Sequence, residues 1–316
     1  MGVDVILVTG ASGFIGSHVV RRLSETGRPV RALIRNRRRA QAEGRLRGLQ
    51  VDWVEGDVTR PESLAPVMRG VSAVIHTVAV AIERGGASYE SVNYQGTVHV
   101  VDASRDAGVR RFVNLSQLGA RPNLPYRFLA SKGRAQEYVA ASGLRWTTFQ
   151  PSTVWGPEDE FANSFARLVP FTPLIFPIIG SGQARFEPVW VEDLVTCIVH
   201  ALDDVSTVGQ AFEIGGPEVL TIEEIERRTL RALGARRLLV RVPLPLIRLP
   251  VFLMEVLLPA PPVTRSLLDL LAVDNVTTSN AIRRFVPEPR RFLPEHTASY
   301  MRAFRAIDTL RAYLGR

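Results

Sequence analysis

Short apolar runs alternate with longer amphipathic stretches through the first half of the chain. The runs Val3–Val8, Val30–Ile34, Val51–Glu55, Ala73–Thr77, Arg111–Leu115 and Arg145–Gln150 have the length of strands, and most are rich in Val and Ile. Between them, apolar residues recur at helical spacing over Phe14–Thr26, Arg38–Leu49, Pro61–Met68, Tyr89–Ala107 and Phe128–Ser142. Strands separated in this way predict βαβ units, which close right-handed onto a parallel sheet. Runs without polar alternation suit a sheet covered on both faces. The pattern predicts an α/β fold built on a doubly wound parallel sheet.

After Gln150 the rhythm loosens. Pro151, Gly156, Pro157, Pro170, Pro173, Pro177, Gly180 and Gly182 break the chain into loops. Helical spacing resumes over Val191–Leu202. A strand, Ala211–Ile214, follows, then a helix opening near Thr221, where Thr221 and Glu224 have the spacing of a capping box. This organisation predicts a sheet domain over 1–150 and a mixed region over 151–316. The second region partly completes the sheet and partly forms a smaller C-terminal lobe. Its segment Leu238–Val263 is strongly apolar, yet it holds six prolines and is interrupted by Arg241, Arg248 and Glu255. No uncharged run there is long enough to span a bilayer. It reads either as a proline-broken lobe packed over the pocket or as a membrane-contact patch. Pro294–Leu314 predicts a closing helix with Arg302, Arg305 and Arg311 on a solvated face.

Composition narrows the function. The 316 residues carry 39 Lys+Arg against 31 Asp+Glu, a net charge of +8, with 46% hydrophobic residues, which excludes a disordered or fibrous chain. One cysteine, Cys197, excludes an internal disulfide framework. His18, His76, His99, His200 and His296 lack metal-ligand spacing, so no metal is expected. No basic segment precedes Val3–Val8, which predicts no signal peptide. The expected location is cytoplasmic, with a peripheral position on the inner face of the membrane as the alternative. Basic residues spread along the whole chain without zinc-finger spacing or aromatic interleaving. That argues against nucleic acid and for a phosphate-rich cofactor or an anionic membrane surface. Lys132 is the only lysine; every other basic residue is arginine. Arginine and lysine differ in shape, hydration and readiness to lose a proton, so this exception invites a functional reading.

Gly10, Gly13 and Gly16 recur three apart directly after the first strand, with Ser12, Phe14 and Ile15 among them, and open the first helix. That placement predicts a dinucleotide-binding turn of the Rossmann type. Backbone must approach a pyrophosphate closely at Gly10 and Gly13, Gly16 allows tight helix-to-sheet packing, and the free helix N–H groups face the anion. The second strand ends in Arg35, Arg37, Arg38 and Arg39, and offers no acid between Arg31 and Glu43. An acid there would meet a free ribose 2′-OH; guanidinium groups, here Arg35 and Arg38, suit a 2′-phosphate. NADP(H) is therefore favoured over NAD(H). Asp57 and Val58 fall where the adenine edge should lie.

These motifs resemble those of the extended and atypical short-chain dehydrogenase/reductases, and the likeness runs from about Val3 to Leu233. It rests on Thr9 through Gly16, on Gly56, Asp57 and Val58, and on His76, Thr77, Val78 and Ala79 after the fourth strand. It rests further on Val92 through Thr97, on Gln150 through Pro157, and on Val191–Leu194 and Phe212–Gly216. The resemblance implies that Thr77, Val78, Ala79, Pro151, Ser152 and Val154 border the cofactor and that Asn93 stabilises the floor of the active site. It also implies a Ser, Tyr and Lys acting together. Ser116 follows the fifth strand, and Lys132 ends a segment that matches the family pattern except at its first position, Phe128. The expected tyrosine is absent. Tyr126 could replace it only if the chain there is still loop, because two residues on a helix turn a side chain through roughly 200°.

Within the superfamily the pattern resembles the branch of the 39-kDa NADPH-binding accessory subunit of respiratory complex I. That branch implies a bound cofactor, degenerate catalytic residues and contact with a membrane complex; the superfamily also implies homodimers paired through the helices of Asn93 and Lys132. Two functions follow. One is an NADP(H)-binding protein with little or no hydride transfer. The other is an active NADP(H)-dependent reductase or nucleotide-sugar/sterol-type dehydrogenase/epimerase using Ser116, Lys132 and a substitute proton donor. Arg185, Phe186 and Trp190 are expected at the mouth of the substrate site.

Overall fold

A computed structural model describes residues 4–258, 264–271 and 273–301. The chain divides into two compact units, one of Met1–Pro151, Val191–Ile214 and Ser279–Pro287, the other of Ser152–Trp190, Gly215–Thr278 and Glu288–Arg316. The expected closing helix lies for the most part outside the described residues; within them, a short helix covers Pro294–Ala298.

The first unit is built on six strands, β1 (Val5–Thr9), β2 (Val30–Ile34), β3 (Asp52–Glu55), β4 (Val71–His76), β5 (Arg111–Leu115) and β6 (Trp146–Pro151), joined by Gln210–Ile214. These form one seven-stranded sheet, ordered Gln210–Ile214, β6, β5, β4, β1, β2, β3. All pairings are parallel. The connecting helices are α1 (Phe14–Glu25), α2 (Arg37–Glu43), α3 (Leu64–Val67), α4 (Gly96–Asp106) and α5 (Arg127–Ala141). Strand order reverses between β1 and β4. The helices after these two strands leave on opposite faces, which opens a crevice at the carboxyl ends of both.

Two helices depart from the sequence pattern. The expected helix over Arg38–Leu49 stops at Glu43, because Gly44 takes a left-handed conformation with φ of 71° and closes the last turn. The stretch expected as one helix from Tyr89 to Ala107 begins as a π-helix, Tyr89–Gln95, and becomes α-helical at Gly96. Gly96 is required there, since a Cβ would sit 2.8 Å from Val58 Cγ2. Deep in this unit, the guanidinium of Arg111 is held by the carbonyls of Ala201 and Arg145 and the hydroxyls of Thr147 and Thr207. Burial pulls its pKa down to about 10, so four neutral acceptors are what keep this cation inside.

The second unit has a core of Trp155, Phe176, Phe186, Ile222, Ile225 and Phe292 with their neighbours. Thr221 and Glu224 form the expected capping box at the start of the helix Ile222–Ala232. Asp159 accepts from the backbone N–H of Gly156, Phe161 and Asn163 and so organises the turn into the helix Ala162–Leu168. Phe186 is a core residue paired to Leu220, and Arg185 forms an ion pair with Asp274.

Glu226, on Ile222–Ala232, is buried and its carboxyl oxygens have no hydrogen-bond partner among the described residues. Burial, helped by the charge of Glu223, raises its pKa to about 8. The folded protein keeps this proton while the unfolded chain loses it above the ordinary carboxylate range. Stability contributed by the protonated form is therefore complete at low pH and falls as pH rises toward about 8. Glu226→Gln should remove this slope and stabilise the protein by roughly 2–5 kcal/mol at pH 8, and by much less at pH 4.5. Thermal melts of both proteins across that range check it; parallel curves would exclude a buried neutral acid.

Candidate functional site

The crevice begins at the turn after β1. Gly10 has φ of 71°, and a Cβ there would meet Thr77 Oγ1 at 2.8 Å and Val78 N at 3.1 Å. At Gly16 a Cβ would lie 2.1 Å from the Gly10 carbonyl oxygen and 2.9 Å from Thr77 Oγ1. Both glycines are thus required by the meeting of α1, the turn and the end of β4. This shifts the reason at Gly10 from room for a ligand to contact with Thr77. Gly13 is the residue with space around it, its Cβ meeting only the Gly10 carbonyl at 3.1 Å. Gly13 is also the N-cap of α1. No side chain caps this helix and its first turn holds no acid, so its leading N–H groups remain available to an anion.

The rim carries arginine. Arg35 and Arg38 are exposed, and their side chains have neither an ion pair nor a hydrogen bond among the described residues. Arg39 is different: it pairs with Glu43 one turn on, while Asn36 caps α2 by accepting from the Arg39 N–H. An acid does stand near the end of β2, brought by β3. Glu55 Oε1 accepts the Arg37 N–H at 2.8 Å. Arg45 was not legible in the sequence. It follows the early end of α2, and its Nη1 donates to the Ser12 carbonyl at 2.9 Å, which sets a guanidinium on the glycine turn itself. On the other side, Asp57 Oδ1 takes both the N–H and the hydroxyl of Thr59. Val58 is a core residue whose carbonyl accepts from His99.

Thr77 locks β1 to β4, its N–H and hydroxyl both donating to the Thr9 carbonyl. Behind it lies a buried chain. Thr9 Oγ1 meets His76 Nδ1 at 2.7 Å, His76 Nε2 meets Thr97 Oγ1 at 3.0 Å, and Thr97 donates to the Asn93 carbonyl. With the Thr97 proton committed, Nε2 carries the ring proton and Nδ1 accepts from Thr9. Burial, and secondarily Lys132, lower the His76 pKa to about 3. His76 is a neutral core linker and does not line the site. Asn93 holds the segment that follows, accepting from Val80 N–H at 2.8 Å and donating to the Val80 carbonyl and to Ser131. Val78 is half-buried and Ala79 exposed along this stretch.

Lys132 on α5 is buried, its Nζ donating to the Leu115 carbonyl at 2.6 Å. Burial lowers its pKa to about 8. Beside Leu115, Ser116 is buried and its Oγ has no partner among the described residues. Phe128 lies one turn before Lys132 on the same face of α5. Its ring packs edge-on against Tyr89 at 5.6 Å, and the Tyr89 hydroxyl donates to the Ala81 carbonyl. Tyr126 is the N-cap of α5 with an extended backbone, so the helix has not yet begun there. The Pro151 carbonyl accepts from Leu118 N–H and Gln117 Nε2. In the second unit, the Ser152 hydroxyl bonds Asn275 and accepts from Glu187 N–H, and Val154 pairs with Val189. That hydroxyl is engaged by its own unit.

These residues fit a dinucleotide: an uncapped helix N-terminus on glycines, unpaired guanidinium groups at the rim and a buried amine held by the carbonyl next in the chain to an unpartnered hydroxyl. A family profile described as NAD(P)H-binding matches residues 10–162. The chain is 32% identical over 229 residues to an NADH dehydrogenase [ubiquinone] 1 alpha subcomplex subunit 9, mitochondrial, of Arabidopsis thaliana, covering 70% of this chain and 56% of that protein. The chain thus spans little more than half the length of that relative. It is 28% identical over 277 residues to a 3 beta-hydroxysteroid dehydrogenase/Delta 5-->4-isomerase of Mycobacterium tuberculosis, covering 77% and 73%. The structure of MoeE5 in complex with UDP-glucose and NAD matches with a TM-score of 0.72 at 21% identity, covering 98% and 99%. Residues 10–162 carry an NAD(P)H-binding domain. The matched segment holds the glycine turn, Phe128 and Lys132.

Gly16→Ala should force α1 off the turn and destabilise the fold by about 1–3 kcal/mol, whereas Gly13→Ala should cost less than about 1 kcal/mol. Urea unfolding compares the two; equal losses would contradict the close approach at Gly16.

Proposed function

We propose that this chain holds NADP(H) and exchanges hydride weakly, because its site keeps the cofactor-side groups and lacks the usual proton donor. The observation that carries this is Phe128, one turn before Lys132 on α5. When bound, a nicotinamide cofactor gives or takes a hydride; the chain must then move a proton at the substrate oxygen. Phenylalanine has none to move, and loss of such a group typically lowers rate by about 10²–10⁴. Lys132 retains a proton below about pH 8 and is the acid that remains, a slower donor. The likeness to a mitochondrial NADH dehydrogenase subunit supports a cofactor-holding role within a respiratory assembly.

Phe128→Tyr should raise kcat on a carbonyl panel by about 10²-fold or more. Residual wild-type activity should fall as pH rises through about 8, because the ammonium is the remaining acid. A wild-type rate equal to that of Phe128→Tyr, on any substrate of the panel, defeats this reading.

The preference for the 2′-phosphate rests on Arg35 and Arg38, with Arg45 set on the Ser12 carbonyl. NADPH should bind at least about 10-fold more tightly than NADH, and Arg35→Ala with Arg38→Ala should bring the two close together. Fluorescence titration decides it, and equal affinities for the wild-type protein would refute the preference.

A second reading is an active dehydrogenase, the activity named for the mycobacterial relative. Tyr126 favours it, since its extended backbone frees the side chain from the helical constraint that would point it away from Lys132. In that case Tyr126→Phe should abolish activity while leaving cofactor affinity unchanged.

A further inference from the structure

The second unit presents an apolar face that its own core leaves open. The helix Leu244–Leu257 has one buried residue, Val251. Leu246, Leu249, Leu253, Val256 and Leu257 recur at helical spacing along one side and are 48–72% exposed. Helix and face are continuous in the chain with the parallel ribbon of Ile175–Ile179 and Leu238–Val242, where Leu174 and Leu238 are 78% and 66% exposed. Scattered apolar residues are normal on a protein surface; a stripe with an adjoining ribbon marks an interaction surface.

Length and charge select the occupant. The helix has 14 residues, about 21 Å, against a hydrocarbon core of roughly 30 Å. No helix among the described residues is long and apolar enough to cross a membrane. An apolar helix of this size lies along an interface. Its only charged residues are Arg248 and Glu255. The two carboxylates of this region are already bound, Glu255 by Arg265 and Asp269 by Arg248. Arg265 also stacks over the Phe252 ring at 4.8 Å. Next to Leu238, Arg236 and Arg237 have no carboxylate partner among the described residues, and Arg237 is turned to the Thr172 carbonyl. The surroundings are therefore short of free negative charge and hold unpaired cations. A second copy would bring the same arginines opposite one another, which disfavours self-pairing through this face.

We propose that this face docks on an anionic bilayer surface, with the helix Leu244–Leu257 lying in the headgroup plane and Arg236 and Arg237 meeting lipid phosphates and carboxylates. Binding then grows with buried apolar area and with anionic lipid content. The proposal is independent of whether the site turns over.

The full chain is tested by flotation with phosphatidylcholine vesicles, with and without about 30% phosphatidylserine. Co-flotation is expected with the anionic vesicles, several-fold weaker with the neutral ones, and reduced by salt. Leu249→Glu with Leu253→Glu should lower it by roughly 10-fold or more while the melting temperature and NADPH binding stay at wild-type values. Arg236→Glu with Arg237→Glu should remove most of the dependence on phosphatidylserine. Absence of vesicle binding, or binding that both double variants leave intact, overturns the proposal. So does a wild-type dimer, measured by light scattering, that Leu249→Glu with Leu253→Glu converts to monomer, because the face would then belong to a second copy.

Discussion

The site depends on one close contact, the seating of α1 against the Gly10 carbonyl where β1 ends. Only a residue without a side chain at position 16 allows that approach, and Gly10 must turn left-handed to permit it. Thr77 then closes the far side by donating twice to Thr9, so the ends of β1 and β4 are held together. The crevice between the two halves of the sheet has rigid walls as a result. The helix N–H groups point into it with no side chain to satisfy them, which is the condition for binding an anion there.

From that contact the polar interior follows as a connected set. Thr9, His76, Thr97 and Asn93 link β1, β4 and the π-helical turn, and Asn93 pins Val80 beyond the end of β4. Desolvation keeps the imidazole neutral, so the chain stabilises position without adding charge near the buried amine. The π-helix brings Tyr89 against Phe128, and the pair covers the start of α5 with apolar surface.

The cations divide by residue type. Arginine supplies every other positive charge, and buried Arg111 stays inside by bonding to carbonyls and hydroxyls. A guanidinium does not give up its proton under such conditions, so it can hold structure but not titrate. The one lysine occupies the place where burial draws a pKa toward neutrality. That difference gives a physical reason for its being lysine.

Much was legible in the sequence. Strand-length Val/Ile runs separated by helical spacing determined the parallel sheet, because a strand buried on both faces leaves no other pattern. The glycines at 10, 13 and 16, the missing hydroxyl at 128 and the capping box at Thr221 were likewise local facts, since each depends on a residue and its near neighbours. Tertiary structure alone decided which groups are already occupied. It gave Arg45 to the Ser12 carbonyl, the Ser152 hydroxyl to Asn275, His76 to two threonines, and Phe186 to a core. It left Ser116 Oγ without a partner among the described residues and Leu246, Leu249, Leu253, Val256 and Leu257 exposed. Partners distant in the chain meet only after folding, and burial and availability are properties of those meetings; no spacing rule along the chain can contain them.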